Sequence, residues 1–221
     1  MTSRLSLYND ALLLCGQRSI TGLTVEEEGR RLLDQVWNND GVKTCLEEGQ
    51  WMFAMRTVQV DYDPGIQPSY GYSRGYDKPD DWVLTSAVCG DEFFRTPLLR
   101  YVDESNFWFA DLDTIYVRYV SDHASYGGDL SLWPQSFVEF VAAHFASKIV
   151  LKLSNSEEKL RLFVNPERPE HSIRGRALLK ARSRCAMASA SGTSPSPGRW
   201  SRARTSGSSG GERGNPSGDL H

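Results

Sequence analysis

The chain has 221 residues, of which 39% are hydrophobic, 24% charged and 11% aromatic, the aromatics being 6 Trp, 9 Tyr and 9 Phe. This is the balance of a globular chain with one core or two small ones, and it excludes wholesale disorder. No run approaches the roughly 18–20 apolar residues a bilayer requires, and the opening MTSRLSLYND lacks the basic-then-apolar pattern of a secretory leader, so neither a membrane span nor export is expected. The net charge of −3 hides a division: residues 1–150 carry −10 and residues 151–221 carry +7, an acidic body followed by a basic end.

In chain order, Leu5, Tyr8, Ala11, Leu12 and Cys15 recur at three and four, predicting a helix over 3–15 that Gly16 terminates. Thr24 followed by Glu26, Glu27 and Glu28 reads as the start of a second helix running to Asn39, with Leu32, Leu33, Val36 and Trp37 as its apolar face. Val42, Cys45 and Leu46 give a further helical piece for which Asp40 is the expected N-cap. From Arg56 the period changes to two, and residues 57–62 read as a strand ending at Pro64. The next fifteen residues, GIQPSYGYSRGYDKP, read as a long loop. Residues 82–88, 93–101, 107–110 and 114–120 then predict four more short strands, so 57–120 forms one small antiparallel sheet.

Trp133-Pro134 and Ser136 open the next helix, about 135–153, whose wide apolar stripe runs from Phe137 to Leu153. Leu160, Leu162 and Phe163 begin something helical that Pro166 and Pro169 interrupt, and Ile173 to Met187 can resume it as a basic helix. From Ala188 the sequence is rich in Ser, Gly, Pro and Arg and too poor in apolar residues to order by itself. The expected class is α+β: N-terminal helices over 1–56, a β-rich insertion over 57–121, a C-terminal helical part of the same body over 122–187, and an extended basic tail over 188–221.

Chemistry is harder to find. Cys15, Cys45, Cys89 and Cys185 show no CxxC spacing and no nearby His pair, which disfavours structural zinc and a disulfide scaffold; Cys15 and Cys45 read as small buried hydrophobes. The acidic neighbours Asp80-Asp81, Asp91-Glu92, Asp103-Glu104 and Asp111 with Asp113 fall where turns are expected and recruit Asp for local hydrogen bonds. His123, His144, His171 and His221 are scattered, His144 reading as a polar-boundary residue of its helix. There is no GxSxG turn, and Gly127-Gly128 lacks the rest of a phosphate loop. No catalytic residue, metal ligand or cofactor site is assigned. Arg174, Arg176, Lys180, Arg182, Arg184, Arg199, Arg202 and Arg204 could neutralise phosphates with Trp200 stacking, but the acidic body favours docking on protein over capture of DNA.

Several segments together carry a resemblance: LYNDALLLCGQRSITGLT, then EEEGRRLLDQVWNNDGVKTCLEEGQWMFAMRTVQVDYD, YDKPDDWV, DLDTIYVRYVSD, GGDLSLWPQSFVEFVAAHFASKIVLKLS and GRWSRAR. In this order, over about residues 5–155 with a short piece near 198–204, the chain resembles the tail tubular protein A family, the head-tail connectors of short-tailed bacteriophages. The resemblance implies a virion protein made in the host bacterial cytoplasm and placed in the tail at the portal vertex, without catalysis, cofactor or membrane. It implies a ring of twelve subunits joining the portal to the tail nozzle, with fibres nearby and genomic DNA passing through the channel without specific binding.

On that reading Arg182, Arg184, Arg199, Trp200, Arg202 and Arg204 are expected to dock on the portal. Tyr70, Tyr72, Tyr76 and Trp82 are expected to anchor contacts with the nozzle or a neighbouring subunit, since Tyr and Trp concentrate binding energy. The acidic body is expected to line the channel and repel phosphate. Members of the family continue the second half as an unbroken helix, whereas FVNPERPEHS places two prolines here, which leaves the continuity of 156–187 open. Two other classes of function are weighed against the connector: a tail-associated polysaccharide or peptidoglycan hydrolase using an acidic pair, and a DNA-binding packaging accessory.

Overall fold

The computed structural model describes residues 2–68 and 71–190, the side chains of 188–190 excepted. The fold is α+β: six helices, α1 (Arg4–Leu14), α2 (Glu28–Asn38), α3 (Gly41–Glu47), α4 (Gln135–Ser154), α5 (Glu157–Phe163) and α6 (Ile173–Ala190), with six strands between α3 and α4. The strands are β1 (Met55–Asp61), β2 (Arg74–Asp77), β3 (Trp82–Cys89), β4 (Val102–Glu104), β5 (Phe107–Ala110) and β6 (Thr114–Ser121).

Local chemistry sets most boundaries. Ser3 and Ser6 form a reciprocal capping box at the start of α1. At its end Gly16 takes a left-handed φ of 71°, which lets Gly16 N–H reach Leu13 O and Gln17 N–H reach Leu12 O, both at 2.9 Å. The start of α2 differs from expectation: Thr24 does not cap it, and the helix begins at Glu28. Glu26 instead pairs with Arg30 and Arg31, while Arg30 Nε donates to Val25 O, so the preceding turn is held by side chains. Asp40 precedes α3 in a left-handed conformation and makes no side-chain cap.

The helical core is built around α4, which buries residues on nearly every face because α1, α2, α3, α5 and α6 all pack on it. Trp51, Phe137 and Phe140 form its aromatic centre: the Trp51 and Phe137 rings lie 4.8 Å apart, and Trp51 Nε1 donates to the carbonyls of Cys45 and Leu46, each at 3.1 Å. Proline settles the continuity of the second half. Residues 164–172, with Pro166 and Pro169, separate α5 from α6, and the chain folds back so that α6 packs along α4.

The strand region is two three-stranded antiparallel sheets rather than one, ordered β1-β6-β3 and β2-β5-β4. They enclose a second core in which Tyr76, Trp108 and Ala110 of one sheet meet Val88, Ile115, Val117 and Tyr119 of the other. Val83 and Val120 belong to the helical core, so the first sheet serves both. Two expectations are corrected. The stretch 65–79 is not all loop, because its last part forms β2 against β5, pairing Tyr76 with Trp108. Residues 93–101 are not a strand: Asp91 accepts hydrogen bonds from Arg95 N–H and Thr96 N–H, Phe94 adopts φ 55°, and the contact with β3 shrinks to one bridge between Cys89 and Pro97.

Candidate functional site

The acidic neighbours are the natural starting point for chemistry, and Asp81, Asp91, Asp103, Asp111 and Asp113 are engaged in holding the β region. Asp81, just before β3, accepts from Arg56 Nη1 at 2.9 and 2.8 Å, from Tyr119 Oη at 3.0 Å and from Ser121 Oγ, joining β1, β3 and β6. Burial works against ionisation of this carboxyl, but the Ser121, Arg56 and Tyr119 hydrogen bonds outweigh it and hold its pKa below the ordinary carboxylate range. Asp103 pairs with Lys78 and accepts from Thr85 Oγ1 at 2.5 Å. Asp111 accepts from Ser73 N–H at 3.0 Å, and Asp113 pairs with Arg74 at 2.8 Å. Asp103 and Glu104 lie in β4 rather than in the turn expected there, so Asp103 joins strands, while Asp81, Asp111 and Asp113 fasten loops to strands.

Histidines and cysteines are equally dispersed. His123 Nδ1 accepts from Ser125 N–H, and His171 lies against Glu170. His144 is buried, 3% exposed, with its Nδ1 accepting from Arg174 Nε at 3.1 Å. Cys15, Cys45 and Cys89 are buried as free thiols, and burial pushes the Cys15 thiol up to about 11 and the Cys45 thiol higher still. Among the described residues no group of three or more His, Cys, Asp or Glu is arranged to hold a metal ion.

The expected contact residues separate into four situations. Tyr76 is corrected: it is fully buried in the second core, where its hydroxyl donates to Leu112 O, and it presents nothing to a partner. Trp82 is half-buried, its ring covered by Lys78 Nζ at 3.7 Å and its Nε1 donating to Thr85 Oγ1 at 3.0 Å. Tyr72 is partly exposed in the loop before β2, and Tyr70 lies outside the described residues.

Of the basic set, Arg182 is exposed but tied back onto the body: its Nε donates to Glu48 O at 2.8 Å and its Nη2 lies 3.6 Å from the Glu48 carboxylate, joining α6 to the end of α3. Arg184 is exposed one step further along α6, and Arg199, Trp200, Arg202 and Arg204 lie outside the described residues.

The surface also presents apolar groups that hydrophobic periodicity could not locate, because periodicity identifies the buried face of an element and leaves loop tips unassigned. On the β region, the loop joining β3 to β4 exposes Phe93 at 67% and Leu99 at 92%. On the helical body, Leu13 and Leu14 border an apolar groove of about 380 Å³ between α1, α4 and α6, floored by Ala143 and Ala177 and edged by Asp10 and Glu139. Burial, reinforced by Glu139, raises the Asp10 carboxyl above its ordinary pKa.

The described residues thus present exposed apolar side chains on the β region and on the helical body, with carboxylates engaged in internal fastening. No helix among the described residues is long and apolar enough to cross a membrane. No family model matches the sequence, and no curated protein matches it.

Proposed function

We propose that the chain is a head-tail adaptor subunit of a short-tailed bacteriophage, closing a ring of like subunits between the portal and the tail nozzle. The observation that carries this reading is the insertion of a two-sheet β unit between α3 and α4, with both of its connections rooted in the helical core through Met55 and Val120. A subunit that must hold neighbours through its body while offering a different end to the tail needs this division, and the ordered motifs resembling tail tubular protein A follow the same helix, sheet, helix sequence.

A ring of identical chains uses heterologous contacts, one surface to the left and another to the right. The groove bordered by Leu13 and Leu14 suits such a contact, and the exposed Phe93 and Leu99 suit the nozzle side better than Tyr76 does. The −10 charge of residues 1–150 suits a channel wall that repels phosphate, while the basic residues beyond α6, with Arg184, remain the portal-docking set.

The test is direct. The full chain is mixed with purified portal rings and imaged by electron microscopy, beside a chain ending at Ala190, which retains α6. A second ring stacked on the portal, formed by the full chain and lost on truncation, is the expected result. Failure of the full chain to associate with the portal overturns the proposal.

A further inference from the structure

Between α2, α3 and α4 lies a cavity of about 330 Å³ whose polar lining is made of hydrogen-bond donors and amides: Gln35, Asn39, Thr44, His144 and Lys148. No Asp or Glu is among the described residues that line it, in a body that is otherwise acidic. Leu32 and Ile149 supply apolar wall. Lys148 enters no ion pair among the described residues, and the side chains of Gln35, Asn39 and Thr44 have no hydrogen-bond partner among them.

The geometry at His144 fixes the polarity of the buried end. Arg174 Nε, which can only donate, lies 3.1 Å from His144 Nδ1, so Nδ1 is the acceptor and the ring proton is on Nε2. Arg174 is itself held from the other side by the Glu48 carboxylate. Burial, together with Arg174 and Lys148, lowers the His144 pKa to about 4, so the ring is neutral at pH 7 and Nε2 remains a donor. His144 is 3% exposed, whereas Lys148 stands at the open rim.

We propose that this cavity is a binding site for a small carboxylate on a short aliphatic stem. The carboxylate accepts from His144 Nε2–H and Thr44 Oγ1–H, Lys148 supplies the opposite charge, and the stem lies on Leu32 and Ile149. A cation is disfavoured because the lining offers no anionic ligand, and an uncharged apolar molecule would cover the His144 Nε2–H without giving it an acceptor, while Gln35, Asn39 and Lys148 are exposed at the rim. The site is independent of the adaptor reading and requires neither ring nor portal.

Butyrate is the probe, with butylammonium as the matched cation, and nitrogen-15 NMR of the full chain is the readout. Without ligand, the imidazole shifts of His144 are expected to show the Nε2-protonated neutral tautomer. Butyrate is expected to shift His144 and Thr44 saturably, with a Kd on the order of millimolar for so small a ligand. Lys148→Ala should weaken binding about tenfold, as befits loss of a charge-assisted contact. Lys152→Ala, one turn further along α4 and outside the cavity lining, should leave it unchanged and shows that bulk charge is not responsible. The proposal is overturned by an Nδ1-protonated ring, by the absence of saturation, by an equal response to butylammonium, or by equal weakening in the two lysine variants.

Discussion

Arg56 and Asp81 meet through a single guanidinium nitrogen that reaches both carboxylate oxygens, at 2.9 and 2.8 Å, and in doing so fastens the segment entering β3 to the first strand of the sheet. Because Tyr119 and Ser121 donate to the same carboxylate, one side chain gathers three strands. Asp81→Asn should cost roughly 2 kcal/mol at neutral pH, the scale of hydrogen bonds to a charged group. Its carboxyl is held below its ordinary value of 3.8 in the fold, so the stabilisation is present above that value and is lost as pH falls through the lower folded value. Urea melts of the variant should therefore lose part of the parent's acid-induced drop below about pH 4.

His144 predicts a second pH effect in a different window. Its folded pKa of about 4 lies below the ordinary 6.5, so between those values the unfolded chain binds a proton that the folded chain refuses. Stability is therefore full above pH 6.5 and declines as pH falls toward 4, by about 3 kcal/mol for this group. His144→Gln, whose amide can accept from Arg174, should flatten the stability curve across that interval; an unchanged slope would assign the acid sensitivity elsewhere.

Gly127 marks a close approach between the loop after β6 and the body. A Cβ there would overlap the Ser121 carbonyl oxygen and lie 3.0 Å from Leu46 and 3.1 Å from Ala54. Gly127 O also accepts from Trp133 Nε1 at 2.8 Å, just ahead of α4. Gly127→Ala should destabilise the chain by about 1–3 kcal/mol, the usual cost of overpacking, and shift the Trp emission through displacement of Trp133. Denaturant unfolding followed by fluorescence checks both.

Arg182 and Arg184 are two residues apart, alike in sequence, and should behave differently. Arg182→Ala removes the hydrogen bonds to Glu48 O and should lower stability by about 1 kcal/mol. Arg184→Ala should change stability by less than about 0.5 kcal/mol. If the adaptor proposal holds, Arg184→Ala should also weaken association with portal rings in a salt-dependent manner. Thermal unfolding and a pull-down over a salt series separate the two roles.

The elements that were legible in the sequence are those whose apolar period matches one buried face. The first helix, the long helix through Phe137 and Phe145, and the strands at 57–62, 82–88, 107–110 and 114–120 lie within a few residues of the observed elements. The misread segments had chemistry that period and composition do not express. β2 is short and Gly- and Tyr-rich, and exists because Tyr76 pairs with Trp108 from far along the chain. Residues 93–101 are apolar enough for a strand but are pulled into a loop by Asp91 accepting two backbone N–H groups. The same limit applies to the contact residues. Tyr72 and Tyr76 look equivalent in sequence, and only the closure of the second core separates a partly exposed ring from a buried one. The donor cavity leaves no trace in the sequence because Thr44 and His144 are a hundred residues apart and carry no motif.

β6 has a consequence for how the two halves of the molecule can move. Its Ile115, Val117 and Tyr119 enter the β core, while Val120, on the opposite face, enters the helical one. A slip of the strand by one residue would interchange these sets and ruin both cores at once, so register in this sheet is enforced from two sides. The same alternation makes β6 a stiff beam embedded at both ends. Displacing one core relative to the other therefore requires breaking pairs of the β1–β6 ladder, which holds seven of them.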